Sequence, residues 1–197
     1  VNHAAAEYSG FAGIQVGYTQ RTTLAHNDVS NLTYGALSIG WGWARHEAWD
    51  ATNAGWNVIA SNRIHDYKRT LNDGGGIYML GPQNGSIIER NHVYDQGTPS
   101  SGALYPDEGS AYSVWRHNVV ERIGTSKWLH LWTSSIHDIA IESNFADTPV
   151  LLNKGTHIAM IDNHVFPPGQ PPAEARAIID AAGPDPARNR WASRLSR

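Results

Sequence analysis

Six short segments of this chain repeat one pattern: an apolar residue, a spacer, an asparagine and a second apolar residue. They read LAHNDVSN (24–31), IASNRIHD (59–66), IERNHVYD (88–95), VWRHNVVE (114–121), IESNFADT (141–148) and MIDNHVFP (160–167). The asparagines are Asn27, Asn62, Asn91, Asn118, Asn144 and Asn163, and their spacing falls from 35 residues to 19 along the chain. Between them lies a second landmark, a small residue that opens a short β-prone run: GIQVG (13–17), ALSIG (36–40), GIYML (76–80) and ALYPD (103–107). Gly75 to Tyr78 aligns with Gly102 to Tyr105 at an offset of 27, the same as Asn91 to Asn118. Two landmarks therefore keep one register.

Units of this size are too short for a strand, crossover helix and parallel strand, and helical periodicity is absent between the runs. The expected fold is all-β: a right-handed parallel β-helix, a solenoid of about six or seven turns over residues 1–166. One asparagine per turn should stack on its copies as a buried ladder. Ile14, Leu37, Ile77 and Leu104 should fill one interior column, and Val29, Ile64, Val93 and Val120 another. Residues 167–197 form a separate region, a proline-rich linker, PPGQPP (167–172), followed by a capping helix over AEARAIIDAAG (173–183) and a charged tail. The helix is expected to close the open end of the solenoid. At the other end, residues 1–11 read as a turn already under way. A missing N-terminal portion or a partner chain is expected to cover them.

Composition narrows the function classes. Charged residues are 17%, with net charge -3 and a pI near 6.4, which offers no general attraction to nucleic acid or anionic membrane. No apolar run is long enough to span a bilayer. There is no cysteine, and no HxH or HExxH spacing among the 10 histidines, so neither a metal nor another cofactor is expected. Eight Trp and eight Tyr against three Phe favour amphipathic aromatics, the kind that grip polar, flat-faced ligands. Carbohydrate is the natural candidate. The chain begins at Val1 with no basic-then-apolar leader, which fits a bacterial secreted or periplasmic protein whose signal has been removed.

The insertions between repeats carry the chemistry-bearing residues. The segment 41–57 holds Trp41, Trp43, His46, Glu47, Trp49, Asp50 and Trp56, a concentration of indoles suited to sugar faces. The segment 65–81 places Asp73 before three glycines, whose backbone lets a ligand approach closely. In the segment 94–110, Asp107 and Glu108 follow a strand and precede Gly109. Paired acids in a groove suit glycosidic cleavage, one protonating the leaving oxygen and one attacking or activating water.

The strings ALSIGWGW, NVIASNRIHDYKRTLNDGGGIYMLG and ALYPDEGS, with the asparagine motifs, resemble the catalytic region of glycoside hydrolase family 141 over about residues 1–166. The resemblance implies a glycosidase acting on a fucoside- or xylan-type substrate. Its acid pair falls on Asp73 and Asp107, with Glu108 beside them. Trp41, Trp43, His46, His65, Tyr78 and Tyr105 are the expected substrate contacts. Family members are much longer than this chain. Asp107 also aligns with Leu80, seven residues past Asp73, which is roughly 23 Å along a straight strand. The glycines at 74–76 must bend the chain for the acids to meet. Two other readings stay open: a polysaccharide lyase on a uronic-acid polymer, and a non-catalytic carbohydrate-binding fragment.

Overall fold

The computed structural model describes residues 1, 10–40 and 54–185. Short strands of two to eight residues follow one another and pair in parallel with strands one repeat away. The first sheet contains β1 (Ile14–Val16), β4 (Leu37–Gly40), β7 (Ile77–Leu80) and β10 (Leu104–Pro106). The second contains β2 (Thr23–Ala25), β5 (Val58–Ala60), β8 (Pro82–Glu89), β11 (Ala111–Arg116), β14 (His137–Glu142) and β17 (Thr156–Ile161). The third contains β3 (Asp28–Ser30), β6 (Arg63–Tyr67), β9 (His92–Gln96), β12 (Val119–Glu121), β15 (Phe145–Ala146) and β18 (His164–Val165). The last is a pair, β13 (His130–Leu131) with β16 (Leu152–Asn153).

This arrangement corrects the expected fold class. A uniform right-handed β-helix would stack columns of equal length, whereas the columns here hold four, six, six and two strands. The first sheet stops at β10, and β13 and β16 form their own pair, joined to β10 by an isolated bridge from Leu104 to Leu129 and by hydrogen bonds from Ala103 N to Lys127 O and from Leu104 N to Trp128 O. The architecture is mostly parallel β, four sheets and 18 strands among the described residues, with one short helix.

The repeat sets the register within the sheets. Ile14, Leu37, Ile77 and Leu104 are Cα partners in sequence, as are Val29, Ile64, Val93 and Val120. Apart from the half-buried Ile14, all of these are fully buried and belong to one core with Ile39, Met79 and Trp115. Between the second and third sheets, the residue before each asparagine takes a left-handed conformation. His26, Ser61, Arg90, His117, Ser143 and Asp162 have φ between 48° and 56°. Such values are uncommon outside glycine, and here they turn the chain sharply from one strand to the next.

The asparagines satisfy the groups this corner leaves over. Asn118 Oδ1 accepts from Asn91 N at 3.1 Å and Asn91 Nδ2 at 2.9 Å, while Asn118 Nδ2 donates to Ile88 O at 2.9 Å. The same set recurs from Asn62 to Asn163.

Helix α1 (Ala173–Ala181) starts just after the proline-rich stretch but does not close an open end. Ala175, Ile178 and Ile179 pack on Val119, Phe145 and Phe166, on the outer flank of the third sheet. Beyond α1, Gly183 N donates to Ser61 O at 2.8 Å and Gly183 O lies 3.1 Å from His26 Nδ1. The chain therefore runs back across the left-handed corners, and β17 and β18 stay largely exposed, with Met160, Ile161 and Val165 at the surface. At the other end, Val1 is hydrogen-bonded to the backbone of Asp28 and Ser30 in β3. No helix among the described residues is long and apolar enough to cross a membrane.

Candidate active site

The outer face of the first sheet holds one row of polar side chains across the strands. Gln15, Ser38, Tyr78 and Tyr105 are successive register partners. The bridge between Leu104 and Leu129 extends the row, bringing His130 against Tyr105 with ring centroids 4.7 Å apart and planes at 24°. Tyr78 meets Tyr105 edge to face at 5.1 Å. Two residues further along, the same offset pairs Asp107 with Trp132 on the adjacent repeat.

Asp107 is the centre of this face. It is 6% exposed, and both carboxylate oxygens are engaged. Tyr78 Oη donates to Oδ2 at 2.5 Å and Trp132 Nε1 donates to Oδ1 at 2.5 Å. Tyr105 lies beside the same carboxylate, and burial together with Asp107 and Asp73 pushes its phenol well above the ordinary value. The described donors to Asp107, Tyr78 and Trp132, are neutral. Trp132 leaves 39% of its surface open, so its indole borders solvent beside the acid.

Asp73 lies on the turn before β7, exposed, with Oδ1 accepting from Gly74 N at 2.8 Å and Oδ2 accepting from Tyr34 Oη at 3.4 Å. The bend that a straight strand could not supply occurs at Gly74, whose φ is +83° and whose missing Cβ leaves room for the Tyr34 ring. Burial pushes the Tyr34 phenol up to about 12, with Asp73 and then Asp107 adding to it. Tyr34, Tyr105 and His130 thus each feel both carboxylates, so the two acids act on one cluster of side chains. A depression of about 120 Å³ adjoins it, lined by Phe11, Tyr34, Ser38 and Tyr78.

Behind the Asp73 turn sits a buried cation. Lys68 has no exposed surface, and its Nζ donates to Ser101 Oγ at 2.6 Å. Ser101 Oγ in turn donates to the carbonyl of Gly74, the neighbour of Asp73. Burial lowers the Lys68 amine to about 8; Asp73 pulls it back up and Lys127 pushes it further down. Ser101 O is held from the far side by Ser126 Oγ at 2.6 Å and Gln96 Nε2 at 3.0 Å.

The expected site residues divide clearly. Asp107, Tyr78 and Tyr105 share this face, while Asp73 sits on the turn before β7 and meets Tyr34. Glu108 is half-buried beside Asp107, with its carbonyl accepting from Gly81 N at 3.3 Å. His65 is on β6 in the third sheet, bonded to Asp66 at 2.7 Å and Asp28 at 3.2 Å, and is not brought to the acids. Trp41, Trp43 and His46, with Glu47, Trp49 and Asp50, lie outside the described residues. Trp56 is described, half-exposed on the second-sheet side beneath the Arg21 guanidinium at 5.9 Å. Among the described residues no group of three or more His, Cys, Asp or Glu could hold a metal ion.

Trp132, His130 and Tyr34 were not anticipated. The first two were legible: WLHLW (128–132) alternates like ALYPD (103–107), and carrying the repeat one unit further pairs His130 with Tyr105 and Trp132 with Asp107. Tyr34 has no comparable signal, since it precedes the strand and reaches the site only because Gly74 lies under its ring.

No protein-family model matches the chain, and no curated protein does. A solved structure named a glycoside hydrolase matches 88% of the chain with a TM-score of 0.52 and 20% sequence identity. The fold resembles that of a glycoside hydrolase. This chain covers 24% of that protein, about a quarter of its length.

Proposed function

We propose that the chain carries the acid pair of a glycoside hydrolase, of the family-141 type, acting on a fucoside- or xylan-type glycan. The observation that supports this reading most is Asp107: a buried carboxylate held by Tyr78 and Trp132 beside Tyr105, with Asp73 and Asp107 both raising the phenols of Tyr34 and Tyr105. The strings DGGGIY (73–78) and YPDEGS (105–110) supply these residues and carry the family resemblance.

The roles follow from the surroundings. Asp107 accepts hydrogen bonds on both oxygens, which fixes it as an acceptor aimed along one direction. It is the partner that stabilises positive charge at the anomeric carbon, by attacking it or by taking a proton from water. Asp73 is exposed and protonates the leaving glycosidic oxygen. Trp132, 39% exposed, offers ring surface to the apolar face of a sugar.

Hydrolysis of xylan and of aryl L-fucosides by purified protein tests this. Asp73→Asn and Asp107→Asn should each lower turnover by about two to four orders of magnitude. Full turnover in both variants would place the chemistry on other residues, and sugar binding without turnover by the wild type would leave a binding protein in place of an enzyme. Unsaturated products would point instead to a lyase. That reading needs an accessible base, and Lys68, the described lysine with a lowered pKa, is buried and bonded to Ser101.

A further inference from the structure

His130 is 8% exposed, and both its ring and its Cβ are packed. One face stacks on Tyr105, and its Cβ sits against Gly102, where an added Cβ would come within 2.6 Å. Its Nδ1 is buried without a hydrogen-bond partner, a condition it shares among the described residues with Gln15 Oε1. Both orphaned atoms belong to the same polar row, one at each end. Buried polar groups are nearly always paired, so an unpaired one at a candidate site calls for an explanation.

Burial holds the imidazole down to about 4, with Lys127 and Lys68 pushing the same way and Asp107 and Asp73 opposing. At neutral pH the ring is therefore uncharged and carries one proton. A proton on Nδ1 would bury an unanswered N–H, which is rarer and costlier than a bare acceptor. The proton therefore sits on Nε2. That nitrogen is not among the buried atoms without a partner, and no described residue bonds it. A donor is thus presented, locked in place, beside a carboxylate and an open indole.

We infer that His130 is a ligand-contacting residue whose Nε2–H donates to a hydroxyl or ring oxygen of an uncharged sugar bound beside Asp107, an assignment that rests on the carbohydrate reading above. Uncharged sugar is favoured because an anionic group would be repelled by Asp107 and Asp73, and the buried Lys68 amine is already bonded to Ser101. His130 is a specificity residue rather than an acid or base, since it does not change charge near neutral pH.

The test has two readouts. Long-range proton–nitrogen NMR of the histidine side chains should show His130 as the Nε2–H tautomer, and its Nε2 signal should move when xylohexaose or methyl α-L-fucoside is added. Calorimetry with the same two probes should show about tenfold weaker binding by His130→Phe, which keeps a ring on Tyr105 but removes the donor. His130→Gln, which restores an N–H near the Nε2 position, should recover part of that loss. It also serves as the folding control if the Phe variant unfolds. A His130 Nδ1–H tautomer, or unchanged binding by His130→Phe, would overturn the inference and leave the glycosidase reading standing. Failure of the wild type to bind either sugar would overturn both.

Discussion

Two outer faces of this molecule carry rows of polar side chains built by the same repeat, and they treat charge in opposite ways. On the third sheet, charges meet opposite charges. Arg63 pairs with Asp28, His92 with Glu121 at 3.1 Å, and Arg122 with Asp95 at 2.9 Å and Glu121 at 2.5 Å. The aromatic between them is stacked on both sides, Tyr94 lying 4.8 Å from His65 and 4.3 Å from His92 with Arg122 above it at 4.6 Å. On the first sheet, the described donors to Asp107 are neutral, and the buried cation Lys68 is bonded to Ser101. A closed charge network has nothing left to offer a ligand. A carboxylate oriented by phenol and indole keeps its charge for one, and an unpaired imidazole beside it adds a donor. The contrast supports the proposed placement of the chemistry on the first sheet.

Both faces depend on the asparagine ladder, so breaking it should erase the contrast. Asn91→Leu removes the acceptor used by Asn62 N and Nδ2 and the donor to Ile59 O. With about 1 to 3 kcal/mol lost per buried group left unanswered, the variant should lose about 3 kcal/mol or more by chemical denaturation. A fully stable Asn91→Leu protein would contradict the ladder's structural role.

Smaller substitutions should separate the two acids. Asp107→Asn turns an amide NH2 toward either Tyr78 Oη or Trp132 Nε1 and leaves that donor without an acceptor, at about 1 to 3 kcal/mol. Asp73 is exposed, and Asp73→Asn should stay within about 0.5 kcal/mol of wild type. Equal melting behaviour of the two variants would show that Asp107 is not held as described.

The smallest effect belongs to the paired face. The hydrogen bond from His92, aided by Arg122, holds the Glu121 carboxyl below its ordinary value. A depressed folded value means that the stabilisation is complete above the unfolded value of 4.5 and is lost as pH falls through the folded one. Glu121→Gln should therefore be less stable than wild type at neutral pH, with the gap closing under acid conditions, and should retain hydrolysis. Thermal melts across that range decide it; a gap that is constant with pH would contradict the pairing.

Much of this was legible in the sequence, for a physical reason. Ladder asparagines and interior columns recur because every repeat must answer the same backbone groups and fill the same interior, and Asn91, Asn118, Ile77 and Leu104 fall in register accordingly. The overall arrangement was not legible. Nothing in the motifs says that the first sheet ends at β10 while β13 and β16 pair separately. Nor does the amphipathic pattern of residues 173–183 say which apolar surface takes it, and Phe145 and Val119 on the flank did so. At the site, Asp73, Asp107, Tyr78 and Tyr105 announced themselves by glycine-adjacent strings. Tyr34 arrived through a left-handed glycine, and Ser101 and Lys68 through packing behind it, which no local pattern encodes.

The central claim is that ligand meets the face of neutral donors and not the face of paired charges. A crystal structure of Asp73→Asn soaked with xylohexaose or an aryl L-fucoside tests it most directly. The predicted result is sugar density against Trp132 and Tyr105, with an oxygen within hydrogen-bonding distance of Asp107. Sugar density against His65, Tyr94 and Arg122 instead, with the Asp107 face empty, would contradict it.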